Sequence, residues 1–141
     1  MSSPSPSPFT FATDIEMRFS DLDAYGHVNN AVFFTYLETA RTKLFLEKFL
    51  HFLNSGLLFL VAKAECEYKK PINLTDRLVV EMTVTRLGNA SFDIDYTMHN
   101  GEGVVFAIAK TVMVCFDQKS NRPTALPDPL RLAFCGKNQL A

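Results

Sequence analysis

Between Ala31 and about Leu53 apolar residues recur at helical spacing through Phe33, Tyr36, Leu37, Ala40 and Leu44, with Val32, Phe45 and Phe49 widening the stripe. Coverage that broad predicts a helix buried on most of its sides. Asn54-Ser-Gly56 ends it with a suitable C-terminal glycine. A helix of this kind needs a second layer around it, and the chain behind it supplies one. Residues 57–68, 77–87, 91–100 and 104–117 each read as strands, and Leu78, Val80, Met82 and Val84 alternate with Val79, Glu81, Thr83 and Thr85. The connectors are short, and the last carries a hairpin-type Asn100-Gly101. A further strand-like stretch, residues 9–20, precedes the helix. The expected architecture is therefore α+β: a single domain with a curved antiparallel five-stranded sheet wrapped round one long central helix.

The bulk numbers agree with one soluble domain. At 141 residues the chain can bury about two-thirds of the surface its unfolded form exposes. Thirteen Phe and no Trp point to a Phe-rich core with some rings left for a pocket or an interface. A formal net charge of −1 argues against nucleic acid as the main partner. Three cysteines, Cys66, Cys115 and Cys135, lie far apart without a CxxC pair, which speaks against zinc and disulfides and for a reducing compartment. Residues 1–8 alternate Ser and Pro without the apolar run of a signal peptide and read as a disordered tail, leaving 9–141 as the domain. The apolar stretch 52–62 is too short for a membrane span. A cytoplasmic location is expected.

Chemistry concentrates in Asp21-Leu-Asp-Ala-Tyr-Gly-His-Val-Asn-Asn30, immediately before the helix. Asn29 or Asn30 is a suitable N-cap. An acid there faces the unpaired N–H groups and the positive end of the helix dipole, the minimum equipment for attack on a carbonyl compound. Asp23 is the first candidate for nucleophile or base, although Asp21 and Asp23 could equally cap the loop or neutralise Arg18. His27 fits either a structural role or a proton shuttle. Glu38 and Arg41, spaced i, i+3, suit an intrahelical ion pair or a reach towards ligand or subunit. Asp21, Asp23 and His27 make a poor metal site, so no metal is expected.

The segment Asp21–Asn30, followed by Phe33-Phe-Thr-Tyr-Leu-Glu-Thr-Ala-Arg41, resembles the signature of the 4-hydroxybenzoyl-CoA thioesterase-like branch of the hotdog-fold superfamily. The resemblance runs from about Phe11 to Pro127 and includes Tyr68-Lys-Lys-Pro71, Asp76-Arg-Leu78 and Arg122-Pro123. It implies hydrolysis of an acyl-CoA thioester without a cofactor, coenzyme A being part of the substrate. It also implies a homodimer or homotetramer with active sites at subunit interfaces. The family's carboxylate falls on Asp23 and its carbonyl-polarising backbone N–H on Asn30. A histidine at the position of His27 is not kept throughout the family, and the cations that hold CoA phosphates do not transfer.

On this reading the acyl group, aromatic or medium-to-long-chain, lies in a pocket lined from the set Phe33, Phe34, Tyr36 and Phe59. Arg86 and Arg122, with Lys69 and Lys70, are candidates for the phosphates. The rival functions are an acyl-carrier-protein thioesterase and a non-catalytic acyl-binding or dimerising module. A dehydratase is disfavoured because neither His51 nor His99 has an identifiable companion acid in the sequence.

Overall fold

The computed structural model describes residues 9–135, so the Ser/Pro tail and residues 136–141 lie outside it. Five long strands form one antiparallel sheet: β1 (Thr10–Asp14), β2 (Leu57–Tyr68), β3 (Val79–Leu87), β4 (Ser91–His99) and β5 (Val105–Asp117). Their spatial order is β1-β3-β4-β5-β2, and the two-residue β6 (Arg122–Pro123) pairs with β5. Helix α1 (Asn30–Lys48) lies on one face, and a short α2 (Asp128–Phe134) closes one end. The hotdog architecture expected from sequence is present.

Three boundaries differ from expectation for local reasons. The first strand ends at Asp14, and Phe19–Asp21 forms a single 3-10 turn, because Asp21 folds back onto Arg18 instead of continuing the ladder. Helix α1 stops at Lys48, and Leu50–Asn54 continues as 3-10 before Gly56, which has φ +86°. The link from β2 to β3 is not a hairpin. Those strands are separated by β4 and β5, so residues 69–78 cross over the end of the sheet. This crossover positions the site: Ile72 accepts the Val28 N–H at 2.9 Å and Asn73 bridges to His27, tying it to the loop before α1.

The inner face of the sheet contributes Val80, Met82, Ile94, Tyr96, Met98, Ala107 and Met113, all buried, against Phe33, Tyr36, Leu37, Ala40 and Leu44 of α1. Seven phenylalanines, Phe9, Phe45, Phe49, Phe52, Phe59, Phe92 and Phe134, form a continuous cluster with ring centroids 4.8 to 6.4 Å apart. Offset and edge contacts of this kind add to area burial. The Phe-rich composition is thus spent largely on one end of the core.

Candidate active site

The loop between the 3-10 turn and α1 is shaped by Asp23. Its Oδ1 accepts the N–H groups of Tyr25 and His27 at 2.9 and 3.2 Å, and its own N–H donates to the His27 carbonyl at 2.7 Å. Gly26 completes the turn at φ +79°, a conformation that costs an L side chain about 1–2 kcal/mol. One carboxylate oxygen therefore holds the loop, while Oδ2 has no hydrogen-bond partner among the described residues. Asp23 is half-buried and lines a cleft of about 220 Å³ with His27, Asn30, Phe33, Tyr68, Lys69 and Lys70.

Asn29 caps α1, its side chain accepting the Ala31 N–H at 2.9 Å. Asn30 is the first helical residue, so its N–H has no intrahelical carbonyl to reach. The residue lines the cleft that contains Asp23. Tyr68, at the end of β2, donates its hydroxyl to the Asn30 carbonyl at 2.9 Å and sets its ring edge-on to Phe33 at 4.9 Å. The crossover brings Lys69 and Lys70 to the same opening, with Lys69 paired to Glu67 at 2.8 Å. The sequence reading includes Tyr68 only within the Tyr68–Pro71 stretch of the resemblance and gives it no role at the site.

Asp21 has a different role. It is only 2% exposed and accepts the Tyr36 hydroxyl at 2.7 Å, the Arg18 backbone N–H at 3.0 Å and the Arg18 guanidinium at 2.8 Å. Burial pushes its pKa up, but these donors outweigh burial and hold it below the ordinary 3.8. Burial, together with the Asp21 bond, raises the Tyr36 phenol well above its usual value. Asp21 is a satisfied structural carboxylate, as the loop-holding alternative had it, and Tyr36 is a core residue rather than pocket lining.

Of the remaining sequence candidates, only Phe33 reaches the Asp23 cleft. Phe34 lies beside a separate groove between α1 and β2, near Glu38, Arg41, Val61 and Ala64. Phe59 sits at the other end of β2, stacked on Phe45 at 4.8 Å. Arg86 is held 2.9 Å from Asp93, and Arg122 lies on β6 opposite Asp117. Both are at the sheet end away from Tyr68, so one protomer does not bring them to Asp23. No ion pair joins Glu38 to Arg41 among the described residues; Arg41 instead donates to the buried Tyr96 hydroxyl at 3.1 Å. His99 does have an acid, Glu81, at 3.2 Å, but this pair sits across neighbouring strands and lines none of these clefts. Burial raises the thiol pKa of Cys66 and Cys115, which disfavours a thiolate nucleophile there.

The model of the thioesterase-like superfamily matches residues 17–134, and the chain belongs to that family; the enzyme class this membership defines is thioester hydrolase. Among relatives, a 1,4-dihydroxy-2-naphthoyl-CoA hydrolase of Thermosynechococcus vestitus is 32% identical over 118 residues, covering 81% of each chain. The long-chain acyl-CoA thioesterase FadM of Escherichia coli is 31% identical over 122 residues, covering 84% of this chain and 92% of the relative. The crystal structure of the PA5185 protein of Pseudomonas aeruginosa superposes with a TM-score of 0.82 at 28% identity, covering 93% of each chain.

Proposed function

We propose that this protein hydrolyses acyl-CoA thioesters, with Asp23 as nucleophile or general base. The observation that carries this reading is the shared cleft: Asp23, with a carboxylate oxygen that no described residue holds, Asn30 at the first turn of α1, and two lysines line one space. The thioester carbonyl docks on the Asn30 N–H, where the helix N-terminus stabilises the developing oxyanion. Asp23 then attacks the carbonyl carbon to give a mixed anhydride, or takes a proton from the attacking water; in both routes the CoA thiolate departs. Lys69 and Lys70 replace Arg86 and Arg122 as the cations of the same protomer that face the CoA phosphates. Two relatives named for an aromatic and a long-chain acyl-CoA fit an aromatic or medium-to-long acyl group here too. The enzyme works as a homo-oligomer with its sites at subunit interfaces.

Hydrolysis rates across a panel of aryl-, short- and long-chain acyl-CoA compounds, set beside the same acyl groups on carrier protein, test this reading. Preference for CoA with turnover of one acyl class is expected. Turnover of carrier-protein thioesters alone, or of none, overturns it.

His27 orders the loop through its backbone, while its ring lines the cleft without a hydrogen-bond partner among the described residues. His27→Gln is therefore expected to lower activity by about tenfold or less and to leave the pH profile unchanged. Loss of a limb of the pH–rate profile in that variant would make His27 a proton shuttle instead.

A further inference from the structure

Between α1 and β2 runs a groove that, among the described residues, shares no lining residue with the Asp23 cleft. Phe34, Glu38, Arg41 and Phe45 are spaced i, i+4, i+7 and i+11, so they share one face of α1 and form the helical wall. Phe59 and Val61 of β2 form the opposite wall, with Thr111 and Met113 of β5 between. The end nearer Phe45 is a pocket of about 370 Å³ lined by Leu57, Phe59 and Met113, a size that suits a small ligand.

Arg41 lines both parts of the groove. It is half-buried, yet no carboxylate pairs with it among the described residues, and its one side-chain hydrogen bond there goes to the Tyr96 hydroxyl. That hydroxyl lies 2.6 Å from Thr111 Oγ1. Burial raises the Tyr96 phenol above its usual pKa, so it stays neutral and supplies no counter-charge. Glu38 lines the same groove but is exposed, where solvent and salt screen its charge. A cation drawn partly out of water without an anion is costly. A guanidinium also presents a planar fork of donors that fits a carboxylate through two parallel bonds. We infer that this groove is a second binding site, for a free carboxylic acid with a medium-length apolar tail, its carboxylate on Arg41 and its tail against Phe45, Leu57, Phe59 and Met113. An alcohol with the same tail would leave the guanidinium without its counter-charge.

The site does not rest on the thioesterase reading. Under that reading the ligand belongs to the class the enzyme releases, which makes the groove a place for product feedback. Its test measures binding without turnover, so the two fail separately. Calorimetric titration of the full chain with decanoate and with 1-decanol is the experiment. Decanoate is expected to bind wild type about tenfold or more tighter than the alcohol, and Arg41→Gln to remove that difference. Arg41→Gln also alters the contact with Tyr96, so Val61→Glu serves as a second variant. Val61 is 44% exposed, which leaves the core intact, and a carboxylate there should weaken decanoate by about tenfold as well. Asp23→Asn should leave decanoate affinity within about twofold, because its charge faces another space. Tightening by about tenfold in that variant would place the acid in the Asp23 cleft beside Lys69 and Lys70, and overturn the site. Equal affinity for the alcohol, or an affinity unmoved by Arg41→Gln and Val61→Glu, does the same. So does an absence of binding at millimolar acid, the outcome if a second copy of the chain covers the groove.

Discussion

Asp23→Asn is expected to lower kcat by about 10²–10⁴ without unfolding the protein, the range for losing a general base or a nucleophile of this kind. The amide oxygen can still accept the Tyr25 and His27 N–H groups, so the loop keeps its shape. What disappears is the charge and basicity of the second oxygen, which no described residue holds by a hydrogen bond. Steady-state kinetics with the preferred acyl-CoA, alongside thermal unfolding, separates chemistry from folding. Retention of more than about a third of wild-type kcat would sink the assignment, since no route through Asp23 survives the change.

Asp21→Ala is expected to act on stability instead, lowering it by about 2–3 kcal/mol, as when a buried acceptor is deleted and its donors are stranded. The cost comes mainly from the buried Tyr36 hydroxyl and the Arg18 backbone N–H, because the Arg18 side chain is 71% exposed and can return to water. The same network makes stability depend on acid. The folded pKa of Asp21 lies below 3.8, so its contribution is present above that value and fades as pH falls through the folded pKa. Chemical denaturation at pH 7 and pH 3 should show the gap between wild type and Asp21→Ala narrowing in acid. An equal gap at both pH values would remove Asp21 from the linkage. Any loss of kcat in this variant should be much smaller than for Asp23→Asn.

The two aspartates show what was legible from sequence and what was not. The seven-residue spacing from Asp23 to Asn30 and the apolar pattern behind it already placed an acid near a helix N-terminus. That juxtaposition is local, and the fold preserves it. The sequence puts Asp23 ahead of Asp21, but the structural role of Asp21 needs Tyr36, fifteen residues away, to be seen bonding it. The strands from Leu57 to Asp117 were recognisable, but their order was not. A period-two pattern is the same whether a strand pairs with its neighbour in sequence or crosses over. Tyr68, Lys69 and Lys70 join the site only because of that crossover. Within one protomer Arg86 and Arg122 lie apart from it for the same reason, since strand-end residues can reach either end of the sheet until its topology is known.

Tyr68 also gives the molecule a built-in optical reporter. With no Trp, the emission of four tyrosines is unmasked. Tyr36 and Tyr96 are sealed in the core and Tyr25 projects 86% exposed, leaving Tyr68 as the tyrosine that lines the cleft. Occupancy of the site by a ligand transparent in the near ultraviolet can therefore be followed by intrinsic fluorescence, without a label, and Tyr68→Phe supplies its own blank.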